Sequence, residues 1–90
     1  MSRSIRYTSR FKKDYKRERK THQDLDEVFK PVLDLLLAGK VLPVKLKDHP
    51  LSGPWNDHRD CHLKPDLVLI YSVGANELTL VRIGSHSELF

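Results

Sequence analysis

Cysteine is almost absent from this 90-residue chain. Cys61 stands alone, which rules out an intramolecular disulfide and a cysteine-rich zinc site. Long hydrophobic runs are missing too. The most apolar stretch, Leu67 to Val73, is far too short to span a bilayer. No charged segment leads into an apolar one in the manner of a signal peptide. There are no repeats and no low-complexity segments. Hydrophobic residues make up 39% of the chain, enough for one thin core but not for a second domain or a deep cofactor cavity. One domain over residues 1–90, with a radius of gyration of about 12 Å and a cytoplasmic location, is the expectation.

Charge is plentiful but one-sided. Sixteen Lys and Arg face twelve Asp and Glu, for a formal net charge of +4. Such a balance favours a polyanionic partner, either a nucleic acid or an acidic protein. Nine of the sixteen cations fall within positions 1–20.

The hydrophobic pattern predicts a β-α-α-β-β-β order of α+β class. Ser4–Thr8 alternates as a short strand, and Thr8 or Ser9 can cap a helix with Phe11 and Tyr15 as its apolar stripe. A second helix carries Leu25, Val28, Phe29, Val32, Leu35 and Leu36 at three- and four-residue spacing and closes at Gly39. Pro31 predicts a kink or a fresh start within it. Residues 40–57 read as a loop. Strands follow at His58–Leu63, Leu67–Val73 and Leu78–Ile83, so two helices should pack on a small, mainly antiparallel sheet.

Four of the five histidines lie between His49 and His86, interspersed with Asp and Arg residues. Histidine is the side chain whose ordinary titration falls near neutral pH. On the first hairpin strand His58, Asp60 and His62 should share a face. Arg82 and His86 should do likewise if the last strand runs on through residue 86. His49 can join them only if its proline-containing loop folds over the sheet. Trp55 reads as a plug at the sheet edge. RNA cleavage needs a base for the 2′-OH, an acid for the leaving 5′ oxygen and a cation for the phosphorane. His86, His49 and His62 suit proton transfer, and Arg82 suits charge stabilisation. No metal or other cofactor is needed, because RNA carries its own nucleophile. His58-x-x-x-His62 is a weak zinc motif here, since such pairs belong on helices and need a third ligand. The cations of the first helix, Lys12, Lys13, Lys16, Arg17, Arg19 and Lys20, suit contact with phosphates.

An ordered series of motifs carries a family resemblance. It comprises Asp48-His49-Pro50-Leu51 with Gly53 and Trp55, Arg59-Asp60-Cys61-His62, Pro65-Asp66, Leu69-Ile70-Tyr71, and Arg82-Ile83-Gly84-Ser85-His86-Ser87-Glu88-Leu89-Phe90. The chain resembles the YafQ branch of the RelE/ParE superfamily of type II toxin–antitoxin toxins. That resemblance implies a RelE-like, microbial-ribonuclease-type fold and ribosome-dependent, metal-independent cleavage of mRNA. It implies functional positions at His49, His62, Asp66, Arg82, His86 and Phe90. His86 and His49 would be general acid and base in unassigned order, and Asp66 would orient a histidine or act as a base. Arg82 would hold the scissile phosphate, and Phe90 would stack on a base or pack beneath His86. The implied partners are the ribosome, mRNA and a cognate antitoxin, acidic and partly disordered with a ribbon-helix-helix end. The toxin–antitoxin complex would bind its own operator DNA, and no membrane is involved. Two departures stand out: relatives often have an aromatic residue at His58, and some have Trp at Leu67. A ParE-like inhibitor of DNA gyrase and a non-catalytic RNA- or ribosome-binding module are the alternatives. The histidine set counts against the former.

Overall fold

Thr8 turns the chain from strand to helix. Its Oγ1 accepts the Phe11 N–H at 3.0 Å and donates to the Val81 carbonyl at 2.7 Å, so one hydroxyl caps the helix and ties it to the sheet. In the computed structural model, which describes residues 3–90, β1 (Ser4–Tyr7) leads into α1 (Ser9–Thr21) and α2 (Leu25–Leu37). Strands β2 (His49–Pro50), β3 (Arg59–Lys64), β4 (Leu67–Val73) and β5 (Glu77–Gly84) follow, then a one-turn helix α3 (His86–Leu89). Short 3₁₀ turns at Val44–Leu46 and Gly53–Trp55 punctuate the segment expected to be loop.

The strands form one mixed sheet in the order β1-β5-β4-β3-β2. Only the β1–β5 pair is parallel, so the expected α+β architecture is present with a longer sheet. β4 lies at its centre and is buried on both faces, which explains its unbroken apolar run. Leu67, Leu69 and Tyr71 join the main core with Phe11, Leu25, Phe29, Val32, Leu36, Leu78, Leu80 and Ile83. Val68 and Ile70 face the other way and pack with Leu89 beneath Leu51, Trp55 and Val81. Trp55 therefore covers the second face of the sheet. The radius of gyration is 12.2 Å.

Of the kink or fresh start expected at Pro31, the fresh start does not occur: α2 is one helix from Leu25 to Leu37. Burial of Leu25 and Phe29 before the proline, and of Val32 and Leu36 after it, holds both halves on the sheet. The last strand does not reach residue 86 but stops at Gly84, so His86 and Arg82 do not share a strand face. A capping box ends the strand: Ser85 N–H and Oγ both donate to Glu88 Oε1, at 3.0 and 2.9 Å. Gly84 permits this, since a Cβ there would meet Arg17 Nη2 at 3.1 Å and Glu88 Oε1 at 3.2 Å.

Candidate active site

Three elements each bring one histidine to the same end of the sheet. His49 arrives because β2 pairs with β3, in register with Asp60. The loop before it is clamped: Asp48 accepts from Arg59 Nε and Nη2 at 3.3 and 3.2 Å and from the Tyr71 hydroxyl. Burial pushes the Tyr71 hydroxyl above its ordinary pKa, which keeps it protonated as a donor. His62 follows Asp60 by two positions on β3, and His86 opens α3. Ring centroids are 6.4 Å apart for His49 and His62, 5.0 Å for His62 and His86, and 6.1 Å for His86 and Phe90. The four rings form a continuous line.

Hydrogen bonds set the tautomers of the outer two imidazoles. His49 Nδ1 lies 2.7 Å from the Lys47 carbonyl oxygen, which can only accept, so Nδ1 carries the proton. His86 Nδ1 lies 3.2 Å from Asp66 Oδ1, which also accepts the His86 backbone N–H at 3.1 Å. Those two bonds, the backbone one first, hold the Asp66 carboxyl below its ordinary range, so Asp66 is an ionised acceptor. In both neutral rings Nε2 is left as the proton-accepting atom.

Asp60 is the site residue absent from the sequence-based set. It is 2% exposed, and its Oδ1 lies 3.1 Å from His49 Nδ1. Because that N–H points at Lys47 O, Oδ1 has no aligned hydrogen bond. Burial pushes the Asp60 carboxyl upward, against the pull of His49, His62 and His86 when these are charged. The alternation of Asp60 with His62 on the strand was the available signal.

Arg82 is held by α1. Its Nε and Nη2 donate to the buried Asp14 carboxylate at 2.7 and 3.2 Å, and Nη1 has no partner among the described hydrogen bonds. The same carboxylate accepts the Ile83 N–H at 3.3 Å and an Arg17 Nη1 bond at 3.1 Å. Of the helix cations, Arg17 is thus engaged by Asp14, Glu18 and Glu88, and Arg19 by Asp26. Lys12, Lys13, Lys16 and Lys20 form no ion pair among the described residues. His58 sits just before β3 with its ring edge-on to Trp55, centroids 5.5 Å apart. Leu67 is fully buried in the main core and offers no surface on which a base could stack. Cys61 is equally buried, which pushes its thiol up to about 12 and excludes it as a nucleophile at neutral pH. Among the described residues, no group of three or more His, Cys, Asp or Glu is arranged to hold a metal ion.

Comparison with known proteins agrees with this architecture. Residues 3–90 match the family described as "Bacterial toxin of type II toxin-antitoxin system, YafQ". The mRNA interferase toxin YafQ of Escherichia coli K12 is 38% identical over 91 residues, covering 100% of this chain and 98% of that protein. The crystal structure of the E. coli DinJ–YafQ toxin–antitoxin complex contains a chain that superposes with a TM-score of 0.89 at 38% identity, covering 100% of this chain and 99% of that one. A metal-bound toxin from Helicobacter pylori is 46% identical, with a TM-score of 0.89 and 100% coverage of both chains. With its fold, its histidine line and its full-length similarity in accord, the chain belongs to the YafQ family of bacterial type II toxin–antitoxin toxins.

Proposed function

We propose that this chain is an mRNA endoribonuclease that arrests translation by cutting mRNA on the ribosome, with its histidines as acid and base. The observation that carries the proposal is the pair of imidazoles, His49 and His86, each tied through Nδ1 with Nε2 free, on either side of His62 and next to the buried Asp60. One neutral ring removes the proton from a 2′-OH. The 2′ oxygen then attacks the adjacent phosphorus, the bond to the 5′ oxygen breaks, and the protonated ring supplies the proton that the leaving oxygen takes. Asp60 offsets the charge of that protonated ring. Arg82, with Nη1 uncommitted, contributes positive charge towards the phosphorane, and the exposed Phe90 offers a face for a base. Each positioned acid or base supplies roughly 10²–10⁴-fold.

Lys12, Lys13, Lys16 and Lys20 dock the protein on ribosomal RNA, because phosphate contacts position without reading sequence. An acidic antitoxin segment, disordered when free, silences the toxin by folding onto the basic surface. Among the described residues no helix is long and apolar enough to cross a membrane, and the toxin acts in the cytoplasm, where ribosomes are.

End-group analysis tests the chemistry. The products are expected to carry a 5′-hydroxyl and a 2′,3′-cyclic or 3′-phosphate, and chelation that spares ribosomal magnesium should leave cleavage intact. A 5′-phosphate would mean that water attacked, and the reading would fail.

A further inference from the structure

Two grooves flank the turn between β3 and β4, and their charge differs. One, of 570 Å³, runs from the Val44–Leu46 turn to the histidine line and is lined by Lys45, Lys47, Lys64, His62 and His86, with no carboxylate. The other, of 550 Å³, includes Arg17 and Lys64 but also Glu18, Asp66 and Glu88. A polyanionic strand crossing the histidines meets cations alone on the first side and cations mixed with three carboxylates on the second.

We propose that the lysine groove is a phosphate subsite for the RNA nucleotides on one side of the scissile bond; this rests on the nuclease reading above and adds the path of its substrate. Lys45 and Lys47 carry it. Both are exposed, and among the described residues neither takes part in an ion pair, whereas the Lys64 ammonium is engaged by Asp24 at 2.7 Å. They are also fixed relative to the chemistry. Lys47 has a left-handed backbone, φ 51° and ψ 40°, and its carbonyl accepts the ring Nδ1–H of His49, so the imidazole is tied to the loop that carries the lysines. The neighbouring Asp48 is pinned to Arg59 and Tyr71, which anchors that loop to the sheet. The volume falls within the roughly 300–1,000 Å³ of small-ligand clefts, enough for part of a single strand and too open for an enclosed metabolite. These cations are distinct from those of α1, which serve the ribosome.

The test uses short single-stranded RNAs made uncleavable by a 2′-deoxy substitution at the cut site, first mapped with the parent protein on the matching message in programmed ribosomes. They are extended on the 5′ side, the 3′ side, or both. Lys45→Gln/Lys47→Gln should weaken binding by roughly three- to tenfold at low salt. It should also flatten the log–log salt dependence by about 1.4, at about 0.7 per single-strand phosphate. The loss should appear with one of the two single-sided extensions and vanish with the other. Lys30→Gln/Lys40→Gln, which makes the same change in net charge elsewhere on exposed positions, should have a smaller effect. Lys45→Gln alone should give about half the change in slope. Saturated cleavage should persist in the control variant. Equal losses on both sides, or a loss no greater than the control's, would overturn the subsite while leaving the nuclease reading intact. Failure of the parent to cleave mRNA on programmed ribosomes would overturn the nuclease reading instead, and with it the subsite that rests on it.

Discussion

Replacing Asp60 by Asn should make the protein more stable and less active. The carboxyl is 2% exposed and one of its oxygens has no hydrogen bond. A buried unsatisfied acceptor costs about 1–3 kcal/mol, and the amide recovers part of that, so a gain of about 1 kcal/mol is expected. For a chain of this size that is about 4–8 °C in Tm. The pH dependence follows from burial, which raises the folded-state pKa above the ordinary 3.8. Below 3.8 the group is protonated in both states and costs nothing. As the pH rises from there through the raised folded value, the unfolded state ionises first and stability is lost. Melting curves should therefore coincide for the two proteins in acid and separate towards neutral pH, with Asp60→Asn higher. Activity should move the other way. A unit charge at the observed 3.1 Å from His49 Nδ1 interacts with imidazolium by about 5 kcal/mol at an effective dielectric near 20. Half-exposure of the His49 side chain screens this to about 1–2 kcal/mol, or roughly 5- to 30-fold in kcat. A neutral-pH Tm below that of the parent, or an unchanged kcat, would refute the placement of Asp60 as the buried counter-charge.

Other perturbations have different signs. Asp66→Ala removes an exposed hydrogen bond that orients His86, so cleavage should fall only severalfold in single-turnover assays, far less than on loss of the ring itself. Asp14→Ala strips the buried partner from Arg82, Arg17 and the Ile83 N–H and should cost about 3 kcal/mol in chemical denaturation. Burial pushes the Asp14 carboxyl up, but the Arg82 and Ile83 hydrogen bonds and the two guanidinium charges outweigh it and hold it below 3.8. Its stabilisation is thus complete above 3.8 and lost as pH falls through the lowered value, so the gap between parent and variant should close only in strong acid.

Legibility in the sequence followed the range of the interactions. Both long helices were readable because the stripe of Leu25, Phe29, Val32 and Leu36 is a local pattern, and β4 because its run is apolar on both faces. β2 was not, because its two residues pair only through tertiary contact, with the Leu51 N–H reaching His58 O at 2.9 Å and Asp57 in a left-handed turn at φ 69°. α3 had a local signal in Ser85-x-x-Glu88 that reading a strand through His86 obscured. Asp14 and Glu18 are buried within a run of charges that reads as a solvated face; only the fold reveals that they meet Arg82, Ile83 and Arg17. His49, His62 and His86 were found as residue types, but their line of rings and the buried Asp60 beside them depend on pairing between β2 and β3.

The most direct test of the central claim is single-turnover cleavage of mRNA on programmed ribosomes by the parent protein and by His86→Ala. The His86 side chain is half exposed, and its backbone bond to Asp66 survives the substitution, so the variant should fold as the parent does. The cleavage rate is expected to fall by at least roughly 100-fold, the scale of one lost acid or base. A folded His86→Ala protein that cleaves at the parent rate would contradict histidine catalysis.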